Sequence, residues 1–319
     1  MKQLLCRKEG IKKAAKIIKS GGLVAFPTET VYGLGADAFN PRAVARIFEV
    51  KNRPRFDPII VHIADFSETE RLWSYIDKRA EKLMERFWPG PITLALPKSD
   101  IVPDIVTAGL STVAVRMPSH PVALNLIKEA GTPIAAPSAN PFGYLSPTSA
   151  EHVREQLGDK IEFVLDGGRC PVGVESTVLS LAGKKPLLLR PGGIAIEDIE
   201  NVIGKVEIAP PTSARPQSPG QLPRHYSPRT HIKLLTGKSE REGKKVGLFA
   251  FTPPSQKEDY EVVEVLSSTG DLVEAAANLF SSLHRLDRAG LEVIYAEPVP
   301  EVGLGRAIMD RLRKAAGSS

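Results

Sequence analysis

Residues 41–63 read PRAVARIFEVKNRPRFDPIIVHI, and the fold depends on how this stretch divides. Asn40 offers a side-chain acceptor as N-cap and Pro41 suits the first helical position, so a helix is expected through Val50. The next eight residues, KNRPRFDP, set Lys51, Arg53, Arg55 and Asp57 around two prolines that stiffen the turn. Like charges this close repel. Such a cluster is either a solvated charged turn or an anion site. The apolar run Ile59 to Ile63 then reads as a strand. Helix, basic turn and buried strand in succession indicate an α/β protein.

The same alternation extends in both directions. Upstream, GIKKAAKIIKS places Ile11, Ala14, Ala15 and Ile18 at helical spacing, Gly21 and Gly22 end the helix, and Leu23 to Phe26 form a buried strand running into Pro27. Downstream, helices are expected near 77–88, 120–130 and 149–157, the last opened by a capping box of Thr148 and Glu151. Strands are expected at 92–96, 112–117 and 134–136 and near 161, 176 and 186. A catalytic domain over 1–208 follows. Residues 209–230 then hold six prolines and no period, which reads as a linker. Beyond it, KKVGLFAF, EVVEVL and EVIYA as strands, with helices near 270–287 and 304–316, make a smaller α/β domain over 231–319.

The 319 residues are 42% apolar and 25% charged, an ordinary globular composition. A net charge of +5 permits an anionic ligand without demanding nucleic acid. Cys6 and Cys170 stand apart, with no zinc or disulfide spacing, which suits a reducing cytoplasm. No leader pattern and no apolar run near the roughly 18 residues of a membrane span are seen. A cytoplasmic protein with no membrane contact is expected.

Several segments carry polar groups to strand ends. PTETVYGLGADA puts Thr28, Glu29 and Thr30 just after the first strand, ahead of Gly33 and Gly35, as a small-molecule pocket or a structural turn would. PIAAPSANPFGYLSPTS brings Ser138, Asn140 and Ser146, and GVESTVLSL brings Ser176. Arg116 in TVAVRMP and Arg190 in LLLRPGG end strands, so with Lys51 and Arg53 they would clamp a carboxylate and phosphates if those strands converge. His62 alternates with Val61 and Ile63 and faces either a cleft or a satisfied strand partner. His225 and Tyr226 either pin the linker to a domain or cover a bound nucleotide. No GxSxG elbow, Walker loop or GxGxxG motif is present.

In chain order PTETVYGLG, the KxR turn ahead of PIIVHI, TVAVRMP, APSAN, VESTV and LLRPG resemble the L-threonylcarbamoyl-AMP synthase family with its YrdC-like domain. SPGQLPRHYSP and GLGRAIMDRLRKAA resemble the long form with an extra C-terminal domain. The resemblance spans essentially the whole chain. It implies a twisted, largely mixed sheet with helices plus a smaller Rossmann-like domain. It also implies synthesis of threonylcarbamoyl-AMP from L-threonine, bicarbonate and ATP, with Mg2+ held mainly by phosphates and no protein metal site. By the same resemblance, Thr30, His62, Arg116, the Ala136 backbone and Ser176 hold threonine. Arg53, Asp57, Thr112, Ser138, Asn140, Ser146, Arg190 and Tyr226 hold ATP, and Lys51 and Arg53 assist the chemistry. The implied partners are a downstream tRNA threonylcarbamoyl transferase and, weakly, tRNA itself. Asp57 departs from the family pattern, which commonly has an uncharged residue there; Arg55 is its expected counter-charge. Two rivals stand beside this reading: a carbamoyl-adenylate-forming enzyme of hydrogenase maturation and a non-catalytic RNA-binding module.

Overall fold

The computed structural model describes residues 8–210, 216–222, 225–235, 245–255 and 259–317; Cys6 and linker positions 211–215 and 223–224 lie outside them. The first unit carries strands β1 (Val24–Phe26), β2 (Gly33–Asp37), β3 (Val61–His62), β4 (Ile92–Pro97), β5 (Thr112–Arg116), β6 (Ile134–Ala135), β7 (Phe163–Val164), β8 (Thr177–Ser180), β9 (Leu187–Arg190) and β10 (Glu207–Ile208). Its helices are α1 (Lys8–Lys19), α2 (Pro41–Lys51), α3 (Glu68–Leu72), α4 (Lys78–Phe87), α5 (Asp104–Thr107), α6 (Pro121–Ala130), α7 (Ala150–Leu157) and α8 (Ile196–Ile203). The second unit adds β11 (His231–Leu234), β12 (Val246–Ala250), β13 (Val262–Val265) and β14 (Val293–Ala296), with α9 (Leu272–Arg288) and α10 (Gly305–Ala316).

The opening stretch folds as its chemistry dictates. Asn40 Oδ1 accepts from the N–H groups of Arg42 and Ala43, both at 3.2 Å, and α2 ends where Asn52 turns left-handed at φ 51°. The strand expected over Ile59–Ile63 shortens to two residues. Its flanks pair outside the ladder: Ile59 N donates to Val106 O at 2.8 Å. The capping box expected at Thr148 is displaced by one residue. Ser149 caps α7 by accepting from His152 N at 3.3 Å, whereas Thr148 is buried and its N–H donates to the His152 ring at 3.3 Å.

The first sheet runs in the order β10-β9-β8-β4-β5-β3-β6-β2-β1-β7 and is mixed; for example, β3 lies parallel to β5 while β4 lies antiparallel to it. The second sheet, β11-β14-β12-β13, is parallel throughout. Its strands therefore need covering helices, and α9 and α10 supply Leu279, Phe280, Leu283, Ile308 and Leu312 to the core. Val31, Leu145 and Val174 of the first unit and Tyr226 of the linker join that same core. At Gly173 (φ 75°) the contact is backbone against backbone: a Cβ there would lie 2.4 Å from the Ala276 carbonyl oxygen of α9. Beside it the imidazoles of His152 and His284 stack with centroids 3.9 Å apart, and His284 Nε2 donates to Ser146 O at 3.2 Å. No helix among the described residues is long and apolar enough to cross a membrane.

Candidate active site

A cavity of about 40 Å³ lies where strand ends and turns of the first unit meet beneath the linker. The turn after β1 gives Thr28 and Thr30, β3 gives His62 with Ile60 just before it, and the end of β5 gives Arg116. Arg53, Ala136, Ser138, Ser176 and Arg190 complete the wall, and Pro219, Gly220, His225 and Tyr226 roof it. The expected convergence of Arg53, Arg116 and Arg190 on one space is present.

One end is built around Arg116. Its Nη2 lies 2.7 Å from Glu29 Oε1, its Nη1 donates to Thr30 Oγ1 at 2.9 Å, and Ser119 N holds the other Glu29 oxygen at 3.1 Å. The guanidinium is thereby fixed in orientation, and its planar fork has the geometry that pairs with a carboxylate. His62 shares this end, edge-on to Phe26, and its Nδ1 has no hydrogen-bond partner among the described residues. Burial first, and then the Arg116 charge, pull its pKa down to about 3, so the ring is neutral. A neutral imidazole can accept from an amine or a hydroxyl.

The other end is cationic. Arg190 Nη2 donates to Ser176 O at 2.9 Å and Nη1 to Pro219 O at 3.1 Å. Gly192 makes this approach feasible, since a Cβ there would sit 2.3 Å from the Ser176–Thr177 peptide. Arg53 donates to Pro58 O at 2.7 Å and pairs with Asp57 Oδ2 at 2.9 Å. The counter-charge of Asp57 is therefore Arg53, one turn back in the loop, and not the expected Arg55. Burial pushes the Asp57 carboxyl up while Arg53 opposes it, and burial pulls the Arg190 guanidinium down. Arg53 and Arg190, buried together in the lining, favour an incoming anion.

Five expected site residues stand outside the cavity lining. Lys51 is buried beneath the loop after β6, where its Nζ donates to Ser138 O at 2.6 Å and to Asn140 O. Burial and then Arg53 hold its ammonium well below the usual lysine range. Asn140 ties that loop through Pro141 O at 2.8 Å and Tyr144 O at 3.0 Å. Ser146 Oγ donates to Glu175 Oε1 at 2.5 Å, Asp57 lies behind Arg53, and Thr112 stands opposite Pro97 at the end of β5 remote from Arg116.

In the roof, Tyr226 adopts a left-handed φ of 61°. Its buried hydroxyl has no hydrogen-bond partner among the described residues, and it sits so close to Gly220 that a Cβ there would be 2.2 Å away. Burial pushes the phenol pKa up, so it remains a donor. Phe142 meets the His225 ring edge-on at 5.4 Å.

Two family models cover the chain: one described as telomere recombination over residues 16–192, the other as threonylcarbamoyl-AMP synthase, C-terminal domain, over 194–317. A Pyrococcus abyssi protein described as threonylcarbamoyl-AMP synthase is 49% identical, over 96% of this chain and 94% of its own. The chain belongs to the threonylcarbamoyl-AMP synthase family. A Bacillus subtilis threonylcarbamoyl-AMP synthase is 46% identical over 96% of this chain and 93% of its own. A crystal structure of P. abyssi Sua5 complexed with L-threonine superposes with a TM-score of 0.91 at 49% identity, covering 96% of this chain and 94% of that one. A variant of that protein, with an adjacent histidine and tyrosine each replaced by alanine, superposes with a TM-score of 0.90 at 48% identity, covering 96% and 92%. The present member of the threonylcarbamoyl-AMP synthase family has one adjacent His-Tyr pair, His225–Tyr226. Sequence reasoning placed Glu29 among the polar groups of a pocket or turn without pairing it to Arg116, and gave no role to Glu175, which lines the cavity. The available signal was an acid directly before a strand-end hydroxyl, in TET and in EST.

Proposed function

We propose that this chain makes threonylcarbamoyl-AMP and pyrophosphate from L-threonine, bicarbonate and ATP, acting as a nucleotidyltransferase. The observation that carries the reading is the polarity of the cavity: a single arginine fork beside a neutral histidine at one end, and Arg53 with Arg190 at the other. Threonine would place its carboxylate on Arg116, and its amine, within reach of His62, would condense with bicarbonate to a carbamate, releasing water. A carbamate oxygen then attacks the α-phosphorus while the bond to pyrophosphate breaks. Arg53 and Arg190 stabilise the charge that develops on the leaving group. No protein nucleophile is required, and positioning supplies most of the rate. Among the described residues no group of three or more His, Cys, Asp or Glu converges. Mg2+ would arrive on the triphosphate oxygens, where it neutralises charge.

The division into a catalytic domain over 1–208, a linker over 209–230 and a C-terminal domain over 231–319 fits this scheme, with the linker as a lid. A cavity of about 40 Å³ admits only a few waters. The lid must lift for ATP to enter. The product would pass to a tRNA threonylcarbamoyl transferase in the cytoplasm, with at most weak direct contact to tRNA.

Pyrophosphate release by the full chain, with ATP, Mg2+ and bicarbonate and with or without L-threonine, tests the reading. Release should require threonine and bicarbonate together. Arg116→Ala should lower kcat/KM for threonine on the order of 100-fold, the effect of losing ~3 kcal/mol of charge-assisted bonding. Release indifferent to threonine would overturn the assignment in favour of the carbamoyl-adenylate rival. Salt-sensitive RNA binding without turnover would favour the RNA-binding rival.

A further inference from the structure

We propose that Arg311, carried by α10 of the second unit, is a positioning residue for the nucleotide: it neutralises Glu175 in the cavity wall and seats Tyr226 in the roof. The ATP site is then completed across both units. The inference rests on the reading of the cavity as an ATP site.

A carboxylate in the wall of a space meant for a triphosphate is unexpected, because two anions in a low-dielectric cavity repel strongly. Glu175 lines the same cavity as Ser176 and Arg190. Its charge is answered from the other unit. Arg311 is 0% exposed, its Nε donates to Glu175 Oε2 at 3.0 Å, and its Nη2 lies 2.9 Å from the same oxygen. The other carboxylate oxygen accepts from Ser146 Oγ at 2.5 Å. Nη1 of Arg311 donates to Pro191 O at 2.7 Å, one residue past Arg190, and to Asp310 Oδ2 at 2.8 Å.

The same guanidinium lies 5.0 Å from the centroid of the Tyr226 ring, a cation–π contact that holds the roof tyrosine from behind. One turn on, Lys314 Nζ donates to Gly220 O at 2.6 Å, and Ser227 Oγ donates to Ala315 O at 3.4 Å. One end of α10 therefore grips the linker at Gly220 and at Ser227, next to Tyr226, while Arg311 reaches through to the wall. Burial alone would push the Glu175 pKa up. The charges of Arg311 and then Arg190, with the Ser146 hydroxyl, instead hold it below the usual carboxylate range. Asp310 is itself paired with Lys314 at 2.7 Å, so Glu175 has no other counter-charge from α10.

The test compares the full-length wild type with Arg311→Met, Arg311→Lys and the double variant Arg311→Met/Glu175→Gln by pyrophosphate release, with thermal melts as folding controls. Arg311→Met should raise the KM for ATP at least tenfold at pH 8 and the KM for threonine less than threefold. That rise should shrink as pH falls to 6, because Glu175 without its partner takes up a proton and ceases to repel phosphate. The double variant should recover most of the ATP KM and lose this pH dependence. A purely structural arginine would shift both KM values together and gain nothing from Glu175→Gln; that result, or an unchanged ATP KM, overturns the proposal. If Arg311→Met does not fold, Arg311→Lys decides: it keeps the charge, so an ATP KM within about threefold of wild type supports neutralisation and a tenfold rise contradicts it. Failure of the ATP reading itself is separately visible, as absence of threonine-dependent release in the wild type.

Discussion

Asp57 pairs with Arg53 across a turn set by Pro54, with 1% and 2% of the two side chains exposed. Removing one partner of such a buried pair leaves the other charge unanswered, at a cost of about 3 kcal/mol. Asp57→Asn should therefore lower the stability of the free protein by that order, yet gain more from added pyrophosphate than the wild type does, since the ligand supplies the missing anion. Thermal melts with and without pyrophosphate check this, and equal gains in both proteins would contradict it. At this scale the sequence was readable where a polar residue ends, starts or interrupts an apolar run: Arg116, Arg190, Ser176 and His62 all reach the cavity. Lys51 was not readable as a loop clamp, because the carbonyls it binds belong to Ser138 and Asn140, 87 and 89 positions away. The Asp57 partner was misjudged because Arg53 and Arg55 are both two to four residues distant, and only the turn geometry selects between them.

At the scale of elements, helices with clear apolar spacing were readable, since that is a local signal, whereas α3, α5 and α8 were missed. Strand β2 was missed: Gly33 and Gly35 read as loop glycines, whereas Gly35 clears the Phe26 ring and Ile134, each 2.7 Å from where a Cβ would sit. A neighbour that close belongs to another strand and leaves no mark in the local sequence. Gly173 against α9 is the same effect between units. Gly173→Ala adds a methyl group to a left-handed position that already touches helix backbone, so it should destabilise the contact by roughly 1–3 kcal/mol. Urea unfolding should then show the second unit melting ahead of the first. A single transition at the wild-type midpoint would rule this out.

For the whole molecule, acid is the expected weakness. Burial first, then neighbouring positive groups, depress His62 and His152 to about 3; burial likewise depresses His284 to about 4 against the bond to Ser146. Below the ordinary histidine value the unfolded chain binds protons that the folded chain refuses, so stability is full above about pH 6.5 and falls as pH drops toward those depressed values. Each such histidine contributes up to about 1.4 kcal/mol per pH unit in that window. Urea unfolding free energy should thus fall by several kcal/mol between pH 7 and pH 5, and a flat profile would contradict three neutral buried rings. The small space beneath the linker has a further meaning for the chemistry proposed. A carbamoyl phosphate anhydride is easily lost to water, and a small chamber roofed by a strap that a second unit holds down would shelter that product from most of the solvent. Its lifetime is then set by how often the strap opens.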